Sequence, residues 1–170
     1  MKPSANAPQE TELEIRLASQ RLILWRAGRA VAEYPVSTAA NGPGERIGSG
    51  CTPRGRHRVR LAIGAGCPEN TVFVARRPSG EIYSPALAAA HPGRDWILTR
   101  ILWLTGLEPG RNRGGDRDTL RRFIYIHGTP EGEPMGEPRS HGCIRMRNAD
   151  LIALFPQVAA GTPVEIRERA

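Results

Sequence analysis

Two short runs of this 170-residue chain hold the parts of a sulfur nucleophile. One is Ser140-His141-Gly142-Cys143; the other, upstream, is Ile126-His127-Gly128-Thr129. A free cysteine thiol has a pKa near ~8.5, so only a few per cent is thiolate at neutral pH. An imidazole within reach takes the proton and makes sulfur reactive. That imidazole needs an acceptor on its other nitrogen to hold its tautomer. No carboxylate is spaced for His127, so the carbonyl of Gly128 or Thr129 is the expected partner. The backbone N–H groups of His141, Gly142 and Cys143 are the expected oxyanion donors, because Gly142 permits a tight turn and a close approach by a substrate carbonyl. The chemistry is acyl transfer through a thioester, released by water or by an amine.

Other readings of these residues stand beside this one. His141, Cys143 and His127 are zinc-type ligands, but no fourth ligand lies at metal-site spacing, and no cofactor is expected. A papain-like protease would place its cysteine before its histidine, the reverse of the order here. Cys51 and Cys67 read as small buried hydrophobes, and His57 and His91 as surface or hydrogen-bonding side chains. The three cysteines form no C-x-x-C pair and leave one odd, which fits reduced thiols better than a disulfide framework.

The elements that must position this chemistry read mainly as strands. Leu13, Ile15 and Leu17 alternate with Glu14 and Arg16, the period of a half-buried strand. Arg21 to Trp25 and Val31 to Val36 follow across short turns, which makes an antiparallel meander with one wet face. Asn41 to Gly55 is a loop with five glycines and two prolines. His57–Ile63, Thr71–Ala75, Trp96–Thr105 and Thr162–Ile166 read as further strands. Residues 78–93 read as irregular with a helical turn at Leu87–Ala90, and 108–118 as a polar loop. Leu120–His127 is the clearest strand, with Phe123, Tyr125 and His127 on one face and Ile124 and Ile126 on the other. Residues 128–139 form a loop. Asn148 is placed as the cap of a short helix with Leu151, Ile152 and Phe155 as its apolar stripe, and Pro156 ends it. Residues 1–11 read as a disordered lead-in and 12–170 as one domain.

Composition narrows the class. Gly 19 and Pro 15 make up a fifth of the chain, which favours short elements and turns over a helix bundle. The net charge is +7, and every basic residue but Lys2 is arginine. That skew reflects either base composition or an acidic partner, since guanidinium forks match carboxylates and phosphates. Aromatics at 5% and the lack of a nucleic-acid motif weigh against nucleic acid. No apolar run approaches the ~20 residues of a membrane span, and the polar Met1–Gln9 segment lacks a secretory apolar core. A cytoplasmic location is expected if Met1 is the native start, and a periplasmic one if a leader has been removed.

His127 followed by Ser140-His141-Gly142-Cys143-Ile144-Arg145 resembles the L,D-transpeptidase catalytic domain, the YkuD family. The likeness runs over roughly residues 12–167. It includes the strand pair around Gln20, Tyr34-Pro35-Val36-Ser37-Thr38, Thr52-Pro53-Arg54-Gly55 and Gly161-Thr162-Pro163-Val164. Departures are a twelve-residue spacer between His127 and Ser140, shorter than the usual one, and Ala39 where a glycine is common. The 85–118 segment is hard to match, and substrate selection is expected there.

The resemblance implies a β-rich sandwich or barrel of mixed sheets with one or two short helices. It implies Cys143 as nucleophile, His127 as base, and Ser140, His141, Gly142 and Gly128 as oxyanion or substrate-lining residues. Arg145 is then expected to hold a substrate carboxylate, with Arg100, Arg139 and Arg147 as further candidates. The implied partners are peptidoglycan stem peptides or soluble muropeptides, and carbapenem-type acylating inhibitors. The implied bond lies before a terminal D-alanine. Transfer to water makes an L,D-carboxypeptidase and transfer to an amine an L,D-transpeptidase. With no visible export signal, carboxypeptidase output in muropeptide recycling is placed slightly ahead. A catalytically silent muropeptide-binding module is the alternative.

Overall fold

The computed structural model describes residues 10–169. Ten strands form one sheet: β1 (Thr11–Arg16), β2 (Arg21–Arg26), β3 (Arg29–Ser37), β4 (Gly55–Ile63), β5 (Thr71–Val74), β6 (Arg77–Ile82), β7 (Leu98–Gly106), β8 (Tyr125–Gly128), β9 (Ile144–Met146) and β10 (Pro163–Arg167). Two short helices, α1 (Pro85–Ala90) and α2 (Asn148–Leu154), complete it. The sheet order is β4-β10-β1-β2-β3-β9-β8-β7-β5-β6, and β4 also pairs with β7. That second pairing closes eight strands into a ring, with the β5–β6 hairpin attached outside it at β7. β1–β10 and β8–β9 run parallel while the other pairs are antiparallel, so the barrel is mixed.

Alternation explains the core. Leu13 and Ile15 of β1, Leu22 and Leu24 of β2, Val59 of β4, Leu102 and Leu104 of β7, Ile126 of β8 and Ile144 of β9 meet inside the ring. Leu151 and Leu154 of α2 join the same cluster. Among the described residues no helix is long and apolar enough to cross a membrane.

Several local expectations need correction. The 1–11 lead-in lies outside the described residues except Glu10 and Thr11, and Thr11 opens β1 opposite Arg26. Within the stretch read as irregular, β6 pairs with β5. Its residues are mostly exposed, so burial leaves no alternation in the sequence. The strand read at Leu120–His127 begins only at Tyr125. Phe123 takes a left-handed backbone (φ 57°), and its N–H bonds the Leu120 carbonyl in a turn. Asn148 does not cap α2. Arg147 holds the cap position, while Asn148 is buried and bonded elsewhere. The buried face of α2 is Leu151 and Leu154, with Ile152 outward. Pro156 sits in a final 3₁₀ turn, Phe155–Gln157, as a helix-ending proline should.

Of the two readings of His57, surface or hydrogen-bonding, the structure shows the second. His57 is buried in β4, with Nδ1 against the Gly55 carbonyl (3.0 Å) and Nε2 against Thr119 Oγ1 (2.9 Å). Burial pushes its imidazole down to about 4 from the ordinary 6.5. The unfolded chain therefore binds a proton before the folded one does. Folding stability should be full above pH 6.5 and fall by about 3 kcal/mol as pH drops toward 4. Urea unfolding across that window measures the slope, and His57→Gln, which cannot charge, should flatten it.

Candidate active site

The parallel pairing of β8 with β9 builds the site. Ile126 lies opposite Ile144, His127 opposite Arg145 and Gly128 opposite Met146. Cys143 immediately precedes β9, so the end of the Ser140–Cys143 turn lies alongside the start of β8. There the Tyr125 N–H donates to the Cys143 sulfur at 3.3 Å, and the thiol donates to the Phe123 carbonyl at 3.3 Å. The left-handed backbone of Phe123 is uncommon for an aromatic residue and aims that carbonyl at sulfur.

The turn itself is braced on several sides. Ser140 Oγ donates to the Cys143 carbonyl (2.6 Å) and accepts the Gly142 N–H (3.2 Å). The Ser140 N–H donates to Thr38 and its carbonyl accepts from Ala40. Thr52 Oγ1 donates to the Gly142 carbonyl and accepts the Ala39 N–H. This explains why the Ser37-Thr38 and Thr52-Pro53 segments accompany the cysteine turn. Gly142 has φ 136°, and a Cβ there would press on the Cys51 carbonyl and the Ile124 side chain. Arg122 fixes the loop beneath, with Nη1 on the Gly44 and Glu45 carbonyls and Nη2 on that of Cys51.

His127 is 2% exposed, and its Nδ1 donates to the Gly128 carbonyl at 2.6 Å, the orienting bond expected of it. Nε2 is left as the basic nitrogen. Gly128 therefore orients that imidazole, and it is not among the residues that line the cavity shared by His127 and Cys143. It is glycine because a Cβ would collide with the Asn148 side chain and the Leu98 carbonyl. Asn148 locks this corner through the Thr129 carbonyl (3.0 Å), Thr99 Oγ1 (2.7 Å) and Asn70 Oδ1 (3.1 Å).

His127 and Cys143 line one cavity of about 290 Å³, together with Arg76, Asp95, Ile97, Arg122, Phe123, Tyr125, His141 and Arg145. On its rim Arg76 stacks over Phe123 (4.6 Å) and Trp103 (5.0 Å) and donates to the Tyr125 hydroxyl. A separate cavity of about 310 Å³ beside Leu17, Ala39 and Pro43 holds none of the predicted site residues. Among the described residues no three His, Cys, Asp or Glu side chains come together as metal ligands.

Burial favours the neutral form of both the Cys143 thiol and the His127 imidazole. Burial lowers the His127 pKa, opposed by the Gly128 carbonyl and by Asp95. Burial pushes the Cys143 thiol up to about 11, with the Tyr125 N–H, Arg145 and Arg122 pulling down and Asp95 pushing up. Sulfur's hydrogen-bond partners among the described residues are the Phe123 carbonyl and the Tyr125 N–H.

Ser140, 2% exposed, braces the turn and also lines the cavity with Cys143 and His127. Two expectations are corrected here. The Gly142 N–H is occupied by Ser140, which leaves His141 and Cys143 as the candidate oxyanion donors. Arg145 is not free to hold a substrate carboxylate: its guanidinium meets Asp95 (3.4 Å), Glu133 (3.5 Å) and the Arg139 carbonyl (3.4 Å). Elsewhere, Arg139 pairs with Glu137, Arg100 binds the Cys67 and Thr99 carbonyls, and Arg147 stands at the N-terminal position of α2 with no capping bond from its side chain. Asp95, which faces both Arg145 and His141 (3.8 Å), carries no sequence signal beyond lying in the 85–118 stretch.

A neutral thiol makes a kinetic prediction. Iodoacetamide alkylation of Cys143, followed by peptide mapping, should be slow at neutral pH and climb about tenfold per pH unit up to pH 10. A plateau already reached below pH 8 would show a preformed ion pair instead.

With this geometry in place, comparison with known proteins is direct. The model of the L,D-transpeptidase catalytic domain (YkuD) matches residues 10–166. Probable L,D-transpeptidase ErfK/SrfK of Salmonella typhimurium is 32% identical over 126 residues, 69% of this chain and 40% of that protein. Probable L,D-transpeptidase YbiS of Escherichia coli is 44% identical over 46 residues, 27% of this chain and 15% of that protein. The chain thus spans well under half the length of these relatives. An L,D-transpeptidase from Mycobacterium smegmatis shares the fold at TM-score 0.57 and 18% identity, over 94% of this chain and 59% of that one. L,D-transpeptidase 3 from Mycobacterium tuberculosis, in complex with a faropenem-derived adduct, does so at 0.58 and 16%, over 94% and 61%. The match over residues 10–166 places this chain in the L,D-transpeptidase catalytic domain family.

Proposed function

We propose that this protein acylates Cys143 with peptidoglycan stem peptides, cutting the bond before a terminal D-alanine. The observation that carries this reading is the shared cavity: a partly exposed thiol and an oriented imidazole line the same space. As sulfur attacks the carbonyl, His127 Nε2 takes the thiol proton in the same step, since burial favours the neutral form of both groups. The N–H groups of His141 and Cys143 are the candidates to receive the developing oxyanion. The imidazolium then gives its proton to the leaving D-alanine amine, and the thioester remains. Water or an amine resolves it, and His127 serves as base again.

Acylation by carbapenem-type inhibitors follows from the same nucleophile. A protein of this fold is described with a faropenem-derived adduct. The compartment decides which stems the protein meets: soluble muropeptides in the cytoplasm, wall polymer outside it.

The test is incubation with a disaccharide-tetrapeptide and mass spectrometry of the products. The wild type should release D-alanine, and Cys143→Ala should abolish release by at least ~10³-fold. Release that survives in Cys143→Ala would overturn the assignment. Binding without turnover in the wild type, retained in the variant, would favour the silent muropeptide-binding module.

A further inference from the structure

A second and larger cavity adjoins the one that holds the nucleophile. Its volume is about 590 Å³, and it is lined by Tyr83, His91, Arg94, Trp96, Thr129 and Glu133 among others. Asp95, His141 and Arg145 line both cavities and so form the wall they share. Hydrolysis of a thioester needs space for a water molecule only. A cavity of this size on the far side of that wall suits a second substrate.

The charges it presents select the kind of substrate. Its two guanidinium groups are recessed and neutralised. The Arg145 side chain is 10% exposed between Asp95 and Glu133, and Arg94 is forked by Glu81 (2.7 and 3.2 Å) and stacked on Trp96. The carboxylates are the exposed partners, with Asp95 at 54% and Glu133 at 43%. Each is anchored to Arg145 through one oxygen, Asp95 by Oδ1 and Glu133 by Oε2. Asp95 Oδ2 stands 3.8 Å from His141 Nδ1, beyond a hydrogen bond, while among the described residues the Glu133 carboxylate pairs with Arg145 alone. Outward-facing carboxylate oxygens beside an acyl-enzyme attract a cation and repel an anion.

Resting on the acyl-enzyme reading above, we propose that Asp95, supported by Glu133 and held by Arg145, is the specificity-determining residue that docks a cationic amine acceptor in this cavity and turns the Cys143 thioester toward aminolysis. The docked ammonium gives up two protons as the new amide C–N bond forms and the C–S bond breaks. One passes through His127 to sulfur and restores the thiol; the other leaves to solvent past the exposed His141. The balance needs no further reactant.

The experiment measures how one acyl-enzyme partitions, which is independent of how fast it forms. Disaccharide-tetrapeptide serves as donor and, through its side-chain amine, as acceptor. Hydroxylamine, uncharged at mildly alkaline pH, is added as a neutral nucleophile. Mass spectrometry gives the ratios of crosslinked dimer and of hydroxamate to hydrolysed tripeptide. In Asp95→Asn the dimer ratio should fall about tenfold while the hydroxamate ratio holds, with Asp95→Glu recovering part of the loss and Glu133→Gln moving the same way. A fall of both ratios together, or of neither, overturns the proposal. Tripeptide with no dimer from the wild type also overturns it while leaving acylation at Cys143 standing. No product of any kind from the wild type overturns the acyl-enzyme reading itself.

Discussion

The parallel pairing of β8 with β9 is the constraint on which the site depends. Parallel neighbours cannot be joined by a tight hairpin, so the chain must leave His127, travel through the 129–139 loop and return in the same direction. The return brings the Ser140–Cys143 turn to the end of the sheet where Tyr125 begins, and a backbone N–H of β8 then meets sulfur. Register does the rest. A slip of one residue would turn His127 into the barrel and Ile126 out of it. Ile126 and Ile144, both fully buried and paired with each other, hold that register by packing against Leu102, Leu104 and Leu24.

Around this pairing the structure spends polar groups on position rather than on charge. Ser140, Thr38, Thr52 and Arg122 brace the cysteine turn, and Asn148 and Gly128 orient the imidazole. Burial favours the neutral form of both the Cys143 thiol and the His127 imidazole, and the ion cluster of Asp95, Glu133, Arg145 and His141 lies to one side of them.

Much of this was legible in the sequence because local patterns encode it. Alternation marked β1 and β4, β-forming composition or flanking turns marked β2, β3, β5, β7 and β10, and the His127 and Cys143 runs identified themselves by residue type. A backbone carbonyl at Gly128 or Thr129 followed from the lack of a carboxylate spaced for His127, and the fold selects Gly128. What escaped was decided by contacts between distant segments. β9 is three residues long and has no period of its own. β6 is exposed and carries Pro78 and Gly80, so no alternation remains to be seen. Nothing local predicts a left-handed Phe123. Asn148 looks like a cap by type and place, yet Thr99, Asn70 and Thr129 draw it inward. Arg145 looked free because the two carboxylates that take its fork, Asp95 and Glu133, come from separate loops.

The central claim is that imidazole 127 activates sulfur 143 within one cavity. The most direct measurement is the rate of covalent labelling by a carbapenem, followed by intact mass and peptide mapping, in the wild type and in His127→Ala. The account predicts a single adduct on Cys143, formed at least ~100-fold more slowly without the imidazole. An adduct on Cys51 or Cys67, or labelling of Cys143 at an unchanged rate in His127→Ala, would contradict it.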